Sequence, residues 1–473
     1  MGAKEFMNTH GERRLGVLWH LAWPAIMEQI LSMLVSFVDT AMVGALGAVA
    51  TAAVSINAAC IWLINSVMMG IGVGYSVQVA NAIGAKDDTR ARAVMRQGLL
   101  AVAAVGIAAF LLLQGLAGFL PRWLGAESEV YPQAVAYLRF YAIGLPFSAA
   151  LAIFGAILRC AGDTKTPLIL NGIANVGNMV LNFLLIYPTR TLTLFGRELT
   201  VLGAGLEVRG AALGSALALA LAAGLMLNTV LRNPNRPLVA SPEDNWRPDR
   251  TIIRQAAKLG LPNIGERVTV NLGQILTTAL VAKVGTVALA AHQIAITAEA
   301  ICYLPAYGIA SAATALVGQA VGARNREDAE AYGTLASRLG FLLCVATASV
   351  LFLGAGPLAR LFTEDGAVIA ETVRVLRIVS ICEPFFALSI VAAGALRGAH
   401  DVSWPMIISL ATMWGVRIPL ELFFLFVMGW GLPGIWWGMT IELIARGVLC
   451  ALRWRKGKWT GLCGLEEEKK LPV

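Results

Sequence analysis

Two rows of polar side chains set inside long apolar stretches are where this sequence can do chemistry. In the first, Glu28, Ser32, Ser36 and Asp39 recur at helical spacing and share one face. In the second, Asn171, Asn175, Asn178 and Asn182 stand at i, i+4, i+7 and i+11, a single face of four amides. Ionisable groups inside apolar segments of membrane length are costly and mark ion or substrate paths. Asp39 has no Lys or Arg on its own stretch, 16–43, to neutralise it. A carboxyl so placed can take up and release a proton or a sodium ion. The four amides either join helices by hydrogen bonds across lipid or line a cavity, and four on one face exceed what packing needs. At 1.5 Å per residue Asp39 lies about 7 Å and Asn182 about 9 Å below the outer ends of their segments, so the rows are expected to meet in the outer part of the N-terminal half. Glu28 has two open readings: a functional acid, or a partner for backbone groups freed near Pro24.

The C-terminal half carries more charge. Arg417 and Glu421, and Glu442 and Arg446, are i, i+4 pairs that neutralise each other locally. That leaves Glu266, His292 and Glu299, the last two at i and i+7. His292 is either a satisfied helix-contact histidine or a ligand. Glu266 and Glu299 form a candidate second coupling site, with Asp39 as the first, and sodium is expected near Asp39 or Glu266. Ser36, Asn175, Asn178, Asn182, Met33 and His292 are the candidate substrate-binding residues, Met33 and Trp414 for a tolerant apolar pocket. An intramembrane hydrolase and an ATP-driven pump find no support: there is no HExxH, GxSxG or P-loop, and GIGVGYS at 70–76 lacks the nucleotide-loop spacing. The seven cysteines form no CxxC and give neither a metal nor a disulfide signal. No cofactor is expected beyond the coupling ion.

The elements that position these residues are membrane helices. The chain is 58% hydrophobic and 14% charged, with mean hydropathy +0.71, against roughly half apolar and a quarter charged for soluble domains. Twelve stretches reach the length that a span needs: 16–43, 49–79, 93–119, 132–158, 166–187, 207–231, 252–282, 287–316, 334–354, 370–396, 403–428 and 433–453. The first contains Glu28 and Asp39 and is too long for a signal-peptide core, so no cleaved signal is expected. The net charge of +8 does not point to nucleic acid, because the basic residues crowd into short loops on one side of a twelve-span layout, the bias of cytoplasmic loops. Lys86, Arg90, Arg92, Arg159, Lys165, Arg324 and Arg397 lie on that side with both termini; Arg190, Arg197 and Arg209 are exceptions in one longer outer loop.

An internal repeat organises the whole. At a single offset of 238 residues Pro24 falls on Pro262, Glu28 on Glu266, Gly47 on Gly285, Arg159 on Arg397, Asp163 on Asp401 and Pro167 on Pro405. Each half holds an even number of spans, so both enter the membrane in the same sense and are related by an axis along the membrane normal. The expected division is an N-lobe at 1–232, a cytoplasmic linker at 233–251 rich in Pro and charge, and a C-lobe with a cytoplasmic tail at 252–473.

The stretch WPAIMEQILSMLVSFVDTAMVGALG resembles the first span of the multidrug and toxic compound extrusion (MATE) family, and AHQIAITAEAICYLPAYGIASAATALVGQAVGA its eighth. RCAGDTKTP and RGAHDVSWP are similar to its two matching loops, and the likeness covers roughly residues 15–455. The resemblance implies two six-helix lobes around a central cavity, and cation-coupled export of organic molecules. It matches Asp39 to the family's N-lobe acid. It also marks departures: Val270 and Phe386 stand where a sodium-associated branch has acids in its seventh and tenth spans, and Asn182 where a proton-coupled branch has a second aspartate.

The expected fold is therefore an all-α integral membrane protein of about twelve transmembrane helices in two six-helix lobes related by a parallel pseudo-two-fold repeat. The expected function is proton- or sodium-coupled antiport of small organic molecules, cationic or amphipathic, by alternating access, from a monomer in the inner (plasma) membrane in contact with lipid. A lipid-linked precursor or polysaccharide flippase of the same superfamily, a membrane-embedded enzyme and a channel are the rival classes; a channel would need a ring of carbonyls or charges.

Overall fold

The computed structural model describes residues 11–194, 197–232 and 246–465. Most of the expected linker, and the basic residues Lys4 and Arg236, lie outside the described residues. The long helices are α1 (Gly11–Gly44), α2 (Ala48–Gly84), α3 (Asp88–Leu116), α4 (Tyr131–Cys160), α5 (Lys165–Leu185), α6 (Glu207–Arg232), α7 (Arg250–Val284), α8 (Thr286–Gly322) and α9 (Arg326–Arg360). They are followed by the broken α10 (Gly366–Ser380 and Glu383–Gly398), by α11, which starts as Ser403–Thr412, and by α12 (Gly431–Arg455). Each of the twelve expected stretches falls on one of them. Among the described residues ten helices are long and apolar enough to cross a membrane, and the two pieces of α10, bent by 52°, make an eleventh crossing. The twelfth, α7, is as long as the others at 35 residues but carries Arg254, Lys258, Glu266, Arg267 and Lys283.

Three local departures from plain spans have chemical causes. The break in α10 falls just before Pro384; the proline ring has no N–H to give and crowds the carbonyl four residues back, that of Ser380. Helix α11 contains two π-turns, Met413–Arg417 and Phe423–Val427, flanking Ile418–Leu422. The long outer loop is not irregular: Pro188–Leu194 (β1) and Arg197–Ala204 (β2) pair as an antiparallel hairpin, as the alternating run TRTLTL favours. Arg190 of β1 stacks 4.3 Å and 4.1 Å from the ring centres of Phe183 and Tyr187, which gives this basic residue a partner on the face away from the other basic loops.

Helices α1–α6 and α7–α12 form two lobes. Inside each, the same partners meet: α2 packs on α4 and α4 on α6, as α8 packs on α10 and α10 on α12. Between lobes, α1 crosses to α8, and α2 to α7 and α8. These cross-lobe contacts lie in the half of the bundle where α1 begins and α12 ends. Leu18, Leu21, Ala22 and Ile26 of α1 are buried with Ile309, Ala310 and Ala313 of α8. At the tips, a side chain on Gly84 would strike the Gln319 carbonyl, and one on Gly322 the Asn81 carbonyl, so the two backbones approach as only glycine allows. In the opposite half Leu34, Trp62, Leu63, Leu272, Ile275 and Ile301 are exposed. The lobes are closed at the terminal face and splay toward the other.

The repeat is legible in contacts. Arg159 binds Glu28 at 3.0 Å and Asn171 donates to Glu28 at 2.8 Å; Arg397 binds Glu266 at 2.8 Å and Ser409 donates to Glu266 at 3.3 Å. Every one of these residues maps onto its counterpart at the offset of 238.

Candidate functional site

The two polar rows of the N-lobe run side by side. Helices α1 and α5 point the same way, and their rows touch at both ends: Asn171 donates to Glu28 at 2.8 Å, and Asn182 donates to Asp39 at 2.9 Å. Glu28 therefore does not serve backbone groups near Pro24. It is held by Arg159 and Asn171, its charge matched inside the lobe. The outer ends of the rows open onto a cavity of about 480 Å³, lined by Ser36, Asp39, Thr40, Asn175, Asn178, Asn182, Tyr137, Tyr141 and Ser215, with Trp62 at its edge.

Asp39 is the acid of this chamber. The Asn178 amide turns its nitrogen to the carboxylate, because its oxygen would otherwise face carboxylate oxygens; it then donates to Oδ1 at 2.8 Å and accepts from Ser215 Oγ at 2.9 Å. Two amide donors thus fix Asp39, and no Lys or Arg lines the cavity. Tyr137 and Tyr141 stack with ring centres 6.0 Å apart. The arrangement holds a carboxylate by neutral dipoles on one side and leaves open space on the other, where a proton, a metal cation or an organic cation can approach.

The C-lobe uses the same frame differently. Thr277 takes the place of Asp39, and it donates to Glu421 at 2.8 Å while Arg417 Nε binds that carboxylate at 2.8 Å. The acid has moved to the eleventh span and carries its own cation. Glu421 matches Asn182 at an offset of 239, one more than the repeat, because the π-turn at Met413–Arg417 inserts one residue. The packing on α6 and α12 agrees: Gly214 abuts Asn182, and Gly438 abuts Glu421 at 3.0 Å from where its side chain would begin.

Of the candidates named from the sequence, the structure brings together Asp39, Ser36, Asn175, Asn178 and Asn182. Met33 is not among the residues that line the chamber: it shares the face of Ser36 and Thr40, but sits one turn before Ser36, below the chamber floor. His292 is in the packed C-lobe, 2% exposed, where its Nδ1 accepts from Trp436 Nε1 at 3.2 Å. Glu266 and Glu299 do not share a site. Glu266 belongs to the Arg397–Ser409 cluster, whereas Glu299 faces Glu383, a fully buried acid at the break of α10 whose two oxygens have no hydrogen-bond partner among the described residues. Sequence reasoning missed Glu383, although an acid followed by proline inside the stretch 370–396 was a signal of the same kind as the others. The tenth span therefore does carry an acid, one turn before Phe386. Arg417–Glu421 and Arg446–Glu442 are close pairs, at 2.8 Å and 2.6 Å.

Twelve helices in two pseudo-symmetric lobes, packed at one face, open at the other and holding a polar chamber within one lobe, define a membrane carrier. The MatE family pattern matches residues 24–184 and again 262–423, the second match longer by the one residue that the π-turn inserts. The chain belongs to this family, the multidrug and toxic compound extrusion transporters; it is a multi-pass membrane transporter and not an enzyme. It is 28% identical to the probable multidrug resistance protein NorM of Thermotoga maritima, over 95% of this chain and 94% of that one. It is 30% identical to the protein of the same description from Pseudomonas aeruginosa, over 94% and 90%. Its fold matches a MATE crystal structure in complex with MaD3S with a TM-score of 0.86 at 22% identity, over 94% of this chain and 96% of that one. It also matches an outward-facing MATE family transporter of the MOP superfamily with a TM-score of 0.86 at 21% identity, over 95% and 96%.

Proposed function

We propose that the protein exports small organic cations or amphipathic molecules by cation-coupled antiport, with Asp39 as the site where ion and substrate exclude each other. The observation that carries this reading is the charge pattern of the chamber: one carboxylate, held by Asn178 and Asn182, with no basic side chain in the wall. A lone carboxylate in a cavity walled by apolar helices attracts one cation and is neutralised by it. A proton or sodium ion arriving from the open face neutralises Asp39, and a bound cationic substrate loses its counter-charge and leaves. When the cleft faces the other side the ion departs and substrate binds again. A flippase for anionic lipid-linked precursors needs basic groups where this chamber has none. The names of the NorM relatives agree with drug export.

The basic loops support a reading in which the terminal face lies in the cytoplasm of an inner-membrane protein, which makes the closed face the inner one. The protein works as a monomer surrounded by lipid. Glu299 and Glu383 supply a second ion step; two like acids facing each other in a dry pocket accept a proton or a cation between them. Glu266, neutralised by Arg397, is a structural acid in this scheme, and His292 a helix contact.

The test is efflux of a fluorescent organic cation from proteoliposomes under an imposed pH gradient or an imposed sodium gradient, comparing the wild type with Asp39→Asn. Efflux driven by either gradient and abolished by the substitution is the expected result, and the effective gradient names the ion. Undiminished efflux from Asp39→Asn would remove Asp39 from the mechanism.

A further inference from the structure

The seam between the lobes at the terminal face is built twice by the repeat, and only one of the two copies bonds through an imidazole. In one copy Gln319 of α8 reaches across and donates to the Cys160 carbonyl at 2.9 Å. In the other, Asn81 of α2, the counterpart of Gln319 but one methylene shorter, meets the imidazole of His400 instead, Nδ2 to Nε2 at 2.8 Å. His400 follows α10 at the position matched by Gly162. Both adopt the left-handed backbone, φ 63° for His400 and 91° for Gly162. Glycine takes that conformation without strain, and a histidine there is uncommon. The C-lobe thus keeps a side chain where its own repeat uses none, and that side chain makes the cross-lobe bond.

The orientation of this bond is settled by a second one. Asn81 Nδ2 also donates to the Val77 carbonyl at 2.8 Å, so the amide cannot turn its oxygen toward His400 without facing one carbonyl with another. Nε2 must then be the acceptor, which requires a neutral ring. The charged groups about His400 are Lys258 of α7 and Arg90 of α3; neighbouring Asp401 is engaged by Arg453 at 2.8 Å. We propose that His400 is a latch of the inner gate: neutral, it joins the lobes through Asn81, and protonated, it releases them, so that acidification on the terminal face favours opening of that face.

The release has two parts. Protonated Nε2 is a donor opposed to a donor, and the new charge sits beside Lys258 and Arg90. Burial and these two cations hold the His400 imidazole below its ordinary value. Opening relieves both, so the ring binds its proton more readily in the open gate. The closed gate keeps its full advantage above about pH 6.5 and loses it as the pH falls below that value. Residues that surround the seam, rather than the Asp39 chamber, carry this behaviour, but its consequence for export rests on the alternating-access reading above.

The experiment is a distance measurement across the gate. Spin labels are placed by Arg92→Cys and Glu330→Cys, with Cys60 and Cys463 replaced by Ser, in the full chain in lipid nanodiscs. Distances are read by pulsed electron spin resonance from about pH 8 to about pH 5, the range in which imidazole titrates. The expected result is a longer-distance population that grows by about tenfold per unit of difference between the open and closed imidazole values, with its midpoint below pH 6.5. His400→Gly, which suits the local backbone, should show that population already at the upper pH, and its profile should be flatter than that of the wild type. His400→Gln, an acceptor that does not titrate, should stay closed throughout. A wild-type distribution that does not change with pH overturns the proposal, as does a His400→Gly profile that coincides with it, since the titration would then belong to other carboxyls. Efflux by Asp39→Asn is read separately, so failure of the latch and failure of the coupling scheme are distinguishable.

Discussion

Asn182 donates to the Asp39 carboxylate at 2.9 Å, and 11 residues earlier on the same two helices Asn171 donates to Glu28 at 2.8 Å. The two contacts look alike, but Arg159 stands beside Glu28 at 3.0 Å and no cation stands beside Asp39 in the chamber. One acid carries its own cation and the other faces the open space of the chamber.

Removing an amide from Asp39 should disturb ion exchange more than folding. A hydrogen bond to a charged group is worth about 1.5–3 kcal/mol, which corresponds to about a 10- to 100-fold change in ion affinity. Asn182→Ala and Asn178→Ala should each slow gradient-driven efflux at least about tenfold while leaving the thermal unfolding of the detergent-purified protein little changed. Wild-type efflux in both variants would contradict the assignment.

The Glu28–Arg159 pair makes the opposite prediction. Arg159→Met strands a buried carboxylate, at a cost of about 3–5 kcal/mol, whereas replacing both partners is far milder. Thermal unfolding should show a large loss for Arg159→Met and recovery of most of it in Glu28→Gln/Arg159→Met. The same pattern is expected of Arg397→Met and Glu266→Gln/Arg397→Met, since the repeat uses the same joint twice.

Deleting Gly415 tests the inserted residue in α11. Loss of one residue would convert the π-turn to an α-turn, the form that the matching turn of α5 has, and leave Glu421 opposite Thr277 and Gly438 with the offset restored to 238. The deletion should give monodisperse protein on size-exclusion chromatography. Gly415→Ala, with nothing within 4 Å of the added carbon, should behave as wild type. A deletion variant that fails to fold would show that the π-turn is not a single inserted residue.

Glu299 and Glu383 are expected to govern the electrical response. If they carry a second ion, the membrane potential contributes about 2.3 kcal/mol per 100 mV to each cycle. The variant Glu299→Gln/Glu383→Gln should retain efflux driven by the ion gradient and lose its acceleration by an imposed potassium-diffusion potential. A potential response equal to that of the wild type would exclude this role.

The terminal seam tolerates no side chain at Gly84. Gly84→Val would press its branched carbon against the Gln319 carbonyl, so the closed gate cannot form and transport should fall to background although the chamber is untouched. Substrate binding measured by fluorescence polarisation should survive. Normal transport by Gly84→Val would mean that the seam is not a gate.

The sequence by itself determined the twelve spans, the two-fold repeat and the two facing polar rows, because hydropathy and helical spacing are local properties and the offset of 238 is written in residue identities. It marked Asp39 and the amide face of α5 for the same reason. Tertiary structure decided which acids are free. Glu28 and Glu266 look like intramembrane functional acids until Arg159 and Arg397, each 131 residues away, are packed beside them. Glu299 has no evident partner until the break of α10 turns Glu383 toward it, and Met33 counts as a chamber residue until the depth of the chamber is fixed. The one-residue shift that puts Glu421 opposite Thr277 depends on a π-turn, whose hydrogen bonds leave no periodic signature in five residues. A charge buried in an apolar bundle is defined by what lies within a few ångströms of it, and for these residues that neighbourhood is assembled from distant parts of the chain.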